Sequence, residues 1–324
     1  MPAISGVADA MSDVLSVVRM RGEFVCVNEY AAPWSLRFDR PVAHFHIVER
    51  GSAWLTVHGE APQRIETGDL AILPLGAGHS LASSPRLEPA PIMDEVRNNS
   101  VRDGAVFKIG GGGEATHVLC GQFRFDGVLA PKLLKVLPPL MLIRAQPGRP
   151  LEWIRLMSHF LTEETRFPKP GSAIMIARLL DLLFVQAVRE WGQSHAHKLG
   201  WLSGLRDNSI GRALSVLHEY PARAWTVAQL SDVAGLSRSA FASRFQQVVG
   251  QSPLRYLAVW RLDLAADLLR AGDASIADVA ARVGYSSESA LTRAFKAQFA
   301  VTPAAFRRAR AHSEPTDEQA GVAA

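Results

Sequence analysis

Over the first 125 residues the apolar positions fall in short runs, among them Val42–Val48, Ala53–Val57 and Leu70–Leu73, cut at close intervals by Gly, Pro and Asp. That spacing predicts short strands of an antiparallel sandwich or barrel. The Pro-rich polar stretch Ser83–Asn99 reads as a loop. After it and the run Gly110–Gly113, Thr116–Phe125 predicts another strand. From Pro150 the period changes. Leu151–Thr165 and Ser172–Trp191 carry apolar residues three and four apart, and Pro168-Lys169-Pro170-Gly171 separates them, so two helices are predicted. The second is apolar round most of its circumference and must be covered, either inside the chain or by a second copy; a homodimer through it is expected. His195–Gly204 reads as a linker, Asp207 to about Arg310 as helices on short turns, and the polar tail from His312 as disordered.

Within the last helical region one pattern occurs twice, from Thr226 to Phe245 and from Ser275 to Phe295, with the two glycines about 49 residues apart. Each copy has a capping Thr or Ser, two apolar turns, a Gly, a Ser and an amphipathic segment ending in Phe. Thr226 and Ser275 suit the first N-caps, and Ser237 and Ser286 or Ser287 the second. Gly235 and Gly284 supply the positive φ that closes a tight turn. Leu230, Val233, Leu236, Phe241 and Phe245 predict one small core. Ile276, Val279, Val283, Tyr285, Leu291, Phe295 and Phe299 predict the other. Helix-turn-helix units of this kind place their second helix in the major groove of DNA. A lone unit is also a plain packing module; two in register, joined by the predicted helix Pro253–Ala271, are far more specific.

Charge supports the same region. Residues 207–311 hold 13 Lys/Arg against 8 Asp/Glu, whereas the tail carries three acids and no Lys or Arg. A basic block suits phosphate binding, although many solvated helical domains reach the same balance. The 324 residues, 48% hydrophobic and 20% charged, are too many for one ordinary core. No apolar run is long and unbroken enough to cross a bilayer, and the N-terminus lacks a basic segment leading into an apolar one, so a cytoplasmic protein with no membrane partner is expected. Two cysteines, Cys26 and Cys120, make no disulfide framework.

The segment from Pro253 to Arg308 and the repeat before it closely resemble the AraC/XylS family, over the whole of residues 207–310. The terminal Phe295, Phe299, Pro303 spacing and the Ala305-Phe306-Arg307-Arg308 run are part of the likeness. The resemblance implies two units on one side of a duplex, in major-groove segments about one helical turn apart. Carried over by position, it makes Arg238, Ser239, Ala242 and Ser243 base-facing in the first unit. In the second it makes Glu288, Ser289, Thr292 and Arg293 base-facing. Arg293 to guanine is the preferred contact, and Arg244, Lys296 and Arg307 are assigned to phosphates. A solvated or ion-paired surface residue is the plainer alternative for each arginine.

The strand-rich region resembles cupin sensor domains. Gly68 to His79 keeps a Gly-x5-Pro-x-Gly-x2-His spacing, and His44-Phe45-His46 with Val48 to Gly51 resembles the other cupin signature. His44, His46 and His79 are imidazoles that could converge on a metal. Counted from Gly51, however, His44 falls where metal-binding cupins have Glu, and their upstream His pair falls at Arg37–Asp39. No metal or other cofactor is therefore expected. An organic effector held by Trp34, Phe38, His44, His46, Trp54 and His79 is the leading expectation. Oxidation of Cys26 and Cys120 is another reading, a buried free thiol being the commoner fate.

The expected fold class is α+β and multidomain. A cupin-like antiparallel β-barrel domain (1–145) leads through a helical linker and dimerisation region (146–206) to an all-α double helix-turn-helix domain (207–311), with a disordered tail (312–324). The expected function is sequence-specific transcription regulation, with no catalytic residues. Its expected partners are double-stranded DNA, RNA polymerase, a small-molecule effector and a second copy. Activation rather than repression is what the resemblance implies. The alternative is a metal-dependent cupin enzyme fused to a helical domain, which leaves the duplicated unit unexplained.

Overall fold

The computed structural model describes residues 20–99, 101–103, 106–125, 134, 137–145, 152–194, 207–272 and 274–311. The expectations for the N-terminal residues before 20, the linker 195–204 and the tail from 312 lie outside them. The chain divides into two compact units, one built on residues 18–126 and 130–199, the other mainly on residues 200–324.

The first unit begins with strands β1 (Met20–Ala31), β2 (Ser35–Phe38), β3 (Ala43–Arg50), β4 (Ser52–Val57), β5 (Gln63–Glu66), β6 (Leu70–Leu73), β7 (His79–Ala82) and β8 (Ala90–Pro91). Helix α1 (Ile92–Asn99), strands β9 (Val101–Asp103), β10 (Val106–Gly110), β11 (Ala115–Phe125) and β12 (Met141–Ile143), and helices α2 (Glu152–Arg166) and α3 (Ser172–Ser194) follow. Seven strands form one sheet in the order β12-β6-β3-β11-β1-β10-β9, and five form another in the order β5-β4-β7-β2-β8. Most pairs are antiparallel; β1–β10 and β2–β8 are parallel. The result is a cupin-like jelly roll of two separate sheets rather than a closed ring. The stretch 83–99, read as a loop, contains β8 and α1. Ile92 and Val96 of α1, one helical turn apart, pack on the core, and a single such pair leaves too short a periodic signal to read.

Strand alternation decides what faces what. Tyr30, Val48, Val118 and Cys120 of the larger sheet meet Leu36, Phe38, Leu55, Val57, Ile65 and Leu81 of the smaller one in a single core. On the reverse face of the larger sheet, Phe123 lies 5.2 Å from Phe45 and 5.5 Å from Phe184 of α3, ring centre to ring centre. Ser158 and Thr162 of α2 donate hydrogen bonds to Glu49 Oε1, at 2.5 and 2.9 Å. Because helices cover that face, β3 is buried on both sides over Ala43–Val48, with Ala43, Phe45 and Ile47 alternating with His44, His46 and Val48. Helix α3 splits its apolar surface: Leu180, Leu183, Phe184 and Ala187 are buried, while Ile174, Met175 and Leu182 are 63%, 49% and 58% exposed.

The second unit is helical throughout its described residues: α4 (Asn208–Glu219), α5 (Val227–Ala234), α6 (Arg238–Val249), α7 (Pro253–Ala271), α8 (Ile276–Arg282), α9 (Glu288–Phe299) and α10 (Pro303–Ala311). The predicted caps form. Thr226 closes a capping box with Gln229 at the start of α5, and Ser275 one with Asp278 at the start of α8. Ser237 caps α6, and of the two candidates before α9 it is Ser287 that accepts a hydrogen bond from the Ala290 amide. Gly235 and Gly284 hold φ of 69° and 83° in the two turns. Two cores result. Leu230, Phe241 and Phe245 join Ile210, Leu214 and Leu217 of α4 in one. Val279, Val283, Leu291 and Phe295 join Leu262, Ala266 and Leu269 of α7 in the other. Among the described residues no helix is long and apolar enough to cross a membrane.

Candidate functional site

Two groups of residues carry the chemistry, one in each unit. In the helical unit, α6 and α9 are the second helices of the repeated motif. Burying Phe241 and Phe245 on one side of α6 turns Arg238, Ser239 and Ser243 to solvent, with Ala242 half-buried between them. Leu291 and Phe295 do the same for α9, leaving Glu288, Ser289, Arg293 and Lys296 exposed and Thr292 half-buried. Among the described residues no hydrogen bond or ion pair engages the side chain of Arg238, Arg293 or Lys296. Each recognition face is thus polar, solvated and free to meet another surface.

The structure gives two of the presumed phosphate arginines other engagements. Arg244 pairs through Nε with the carboxylate of Asp207, which also caps α4 through the amides of Ser209 and Ile210. That arginine side chain is 55% exposed, and an exposed pair contributes only about 0–1 kcal/mol, so exchange for a phosphate costs little. Arg307 is half-buried and donates from Nη2 to the carbonyl of Ala274 at 2.5 Å, bracing α10 against the segment before α8. Its position is that of a structural brace. An arginine that sequence reasoning passed over, Arg261 of α7, donates to three carbonyls: Pro221 at 2.6 Å, Arg223 at 2.8 Å and Gly284 at 3.2 Å. No signal in a single sequence separates such an arginine from an ordinary solvated one.

In the sandwich, β3 carries His44 and His46 inward and β7 carries His79 to meet them. His46 Nε2 lies 2.8 Å from His79 Nε2, and His46 Nδ1 lies 3.1 Å from Cys120 Sγ. The Phe38 ring stacks flat on His79 at 4.7 Å and stands edgewise to His46 at 5.1 Å. His44 Nε2 faces Gln122 Nε2 at 3.3 Å, and its Nδ1 is buried without a partner. Of the six residues expected to line the interior, Phe38, His44, His46 and His79 come together. Trp34 is buried in the same core, 4.6 Å from Tyr30 ring to ring, with its indole N–H unpartnered. Trp54 does not belong. It alternates on β4 with the buried Ala53 and Leu55, so its ring lies on the outer face.

The two cysteines sit opposite one another, Cys26 of β1 paired in register with Cys120 of β11. Asn28 Nδ2 donates to Cys26 Sγ at 3.2 Å and to the Val118 carbonyl at 3.1 Å. A hydrogen bond from the Cys120 thiol lowers the pKa of Cys26, whereas burial raises that of Cys120. Asn28, Tyr30 and Gln122 are members of this cluster that the sequence did not single out; their period of two on strands facing His46 was the available signal. Burial lowers the pKa of His44 and of His79 to about 4, and pushes that of His46 well down. All three imidazoles are therefore neutral at neutral pH.

These residues do not fit a metal. His46 turns one ring nitrogen to His79 and the other to Cys120, and His44 turns away to Gln122, so the three rings share no common point. Among the described residues no three His, Cys, Asp or Glu side chains are arranged to hold a metal ion.

Comparison with known proteins follows the same division. Residues 9–193 match a family described as Cupin, and residues 230–309 match one described as a helix-turn-helix domain. An AraC-like transcription regulator of Streptomyces lividans is 35% identical over 303 residues, covering 93% of this chain and 98% of that protein. The chain belongs to the AraC-type transcription regulators. The regulator AlkR of Acinetobacter baylyi is 31% identical over 313 residues, covering 93% of this chain and 99% of its own. The DNA-binding domain of AdpA, solved in complex with a target DNA, is 33% identical over 32% of this chain and 95% of its own, with a TM-score of 0.31. This AraC-type chain is a DNA-binding transcription regulator with a cupin-type sensor domain.

The lowered histidine pKa values predict how the stability of this domain depends on pH. A histidine whose pKa is lower folded than unfolded takes up its proton more readily when the chain opens, so it makes stability fall as pH falls. The loss is expected from about 6.5 down to about 4, the interval between the ordinary value and those of His44 and His79. Thermal midpoints measured across that range should drop steadily, and His44→Gln should flatten part of the slope. Parallel profiles for the two proteins would remove His44 from this account.

Proposed function

We propose that the protein activates transcription in the cytoplasm by reading two adjacent major-groove segments with α6 and α9, under control of a small molecule bound between the sheets. The observation that carries the DNA reading is the pair of polar faces, each presented by a helix whose opposite side is locked by two buried phenylalanines or a Leu–Phe pair. Base contacts go to Arg238, Ser239, Ala242 and Ser243 of α6 and to Glu288, Ser289, Thr292 and Arg293 of α9. Phosphate contacts go to Lys296 and, by exchange from Asp207, to Arg244. Arg307 is left out of the set because its guanidinium already serves Ala274. RNA polymerase is the partner that activation requires.

For the effector, the interior offers two unpartnered buried groups, the Trp34 indole N–H and His44 Nδ1, among aliphatic and aromatic side chains and the hydrogen-bonded His46, His79 and Cys120. Each costs about 1–3 kcal/mol while unpaired, which a bound molecule with matching polar atoms would recover. Because the imidazoles are neutral, a largely apolar, uncharged ligand with one or two hydrogen-bonding groups suits the site better than an ion. The absent donor geometry and the regulatory family stand against the enzyme alternative.

A second reading rests on the cysteines. Residues directly opposite on antiparallel strands stand about 4.5–5.5 Å apart at Cα, inside the span that a disulfide accepts. A hydroperoxide could oxidise this pair: the Cys26 thiolate takes its terminal oxygen, an alcohol leaves, and the Cys120 thiol condenses with the sulfenic acid to release water.

Selection of sites from random duplex DNA should enrich two half-elements about one helical turn apart. Arg293→Ala should lose about 1–3 kcal/mol of discrimination at one position and leave the other positions unchanged; an unaltered preference removes Arg293 from the readout. Ile174, Met175 and Leu182 of α3 are the exposed apolar face through which a second copy would associate. Sedimentation should accordingly show a dimer, with Leu182→Glu shifted to monomer, and a wild-type monomer at all concentrations would sink that interface. Treatment with hydrogen peroxide decides the second reading. A Cys26–Cys120 link with changed DNA affinity, abolished in Cys26→Ser, supports it, and unchanged affinity leaves the bound effector as the signal.

A further inference from the structure

The two helix-turn-helix units each have their own core, yet a small polar joint holds one against the other. Its centre is the Arg261 guanidinium, midway along α7 between the residues that feed the two cores. Nε and Nη2 donate to the carbonyls of Pro221 and Arg223, in the loop between α4 and α5 that leads into the first unit. Nη1 donates to the carbonyl of Gly284, the turn residue of the second unit. All three nitrogens are used, and they reach both units at once.

The loop is stiff on its own account. The Trp225 indole donates to the Tyr220 carbonyl at 3.0 Å, and the Arg223 guanidinium lies 4.1 Å above the Trp225 ring. It also touches the second turn directly. A Cβ on Gly284 would stand 2.6 Å from both Cα and O of Ala222, so only a glycine lets the loop and turn come this close. Helix α5 begins at Val227, just past that loop, and α9 begins at Glu288, four residues after Gly284. A rotation of one unit against the other therefore has to open the Ala222–Gly284 contact and break the Arg261 hydrogen bonds to one side or the other.

We propose that Arg261, acting through Gly284 and the 221–223 loop, is the residue that sets the spacing of the two half-elements the protein accepts. It touches no base. It is a positioning residue, and the inference rests on the DNA reading given above. The physical reason is the geometry of the duplex: each added base pair moves the second half-element about 3.4 Å along the axis and turns it by about 34° round it. A rigid pair of recognition helices cannot follow both displacements, whereas a pair joined by α7 alone could twist to do so.

The test uses the full chain and a set of duplexes carrying the two selected half-elements with the spacer lengthened or shortened by one and two base pairs. The wild-type protein should lose about tenfold or more in affinity for a one-base-pair change, the scale of a mismatched base. Arg261→Gln should flatten this to about threefold or less while selecting the same half-element sequences. Arg261→Lys, which keeps the charge but cannot serve three carbonyls, should fall between them and carries the test if Arg261→Gln does not fold. A folded variant with the wild-type spacing profile would overturn the proposal. So would a uniform loss of affinity at every spacer, which would mark Arg261 as a residue of general binding. If the wild-type protein selected no two-element site, the DNA reading itself would fall, and the spacing proposal with it.

Discussion

One helix has to serve two cores, and the geometry of the DNA-binding unit follows from that demand. The N-terminal part of α7 gives Tyr256 and Leu257 to the core of the first helix-turn-helix, and its C-terminal part gives Leu262, Ala265, Ala266 and Leu269 to the second. A continuous α-helix is stiff over this length, so placing one core fixes the direction in which the other can lie. The aromatic side chains then orient the recognition helices within each core, since Phe241 and Phe245, or Leu291 and Phe295, can be buried in only one rotation of α6 or α9. The polar faces are what is left over. Recognition in such a domain is therefore an outcome of packing, and the residues that meet DNA are those that the cores did not need.

The sensor unit follows a different physical logic. Its two sheets enclose an apolar interior, but the inner face of the larger sheet carries His44, His46, Cys120, Asn28 and Gln122 among the aliphatic side chains. Neutral imidazoles are tolerated there because each hydrogen bond they make replaces one to water, and because burial holds them uncharged. The cluster is incompletely satisfied, with His44 Nδ1 and the Trp34 indole N–H left over. A core built only for stability would have filled these positions with Leu or Val. A ligand or an oxidation that favours one arrangement of the sensor can act on DNA binding only through a difference in free energy between states of the whole chain.

How much of this could be read beforehand depended on whether the signal was local. The N-caps at Thr226 and Ser275, the turns at Gly235 and Gly284 and the buried phenylalanines all lie within a few residues of the elements they define, and each forms where the sequence placed it. The alternation of His44 and His46 correctly put both on one face of β3. Trp54 was misplaced because the same alternation was not followed along β4, where Ala53 and Leu55 take the inward positions. Helix α1 was missed because its two turns carry only three apolar residues, Ile92, Met93 and Val96, too short a pattern to separate from a polar loop.

The sequence by itself determined the succession of a strand-rich region and a helical one, four of the strands, the two repeated units and the family to which the chain belongs, because periodicity, caps and turn residues are properties of neighbouring positions. Only the tertiary structure decided that Cys26 stands opposite Cys120, 94 residues along the chain, that His46 bridges Cys120 and His79, and that Arg261 reaches both units while Arg307 is held by Ala274. Those relations depend on strand register and on where a long, flexible side chain ends. Both are settled by the closing of the cores around them, and no local pattern of residues encodes either.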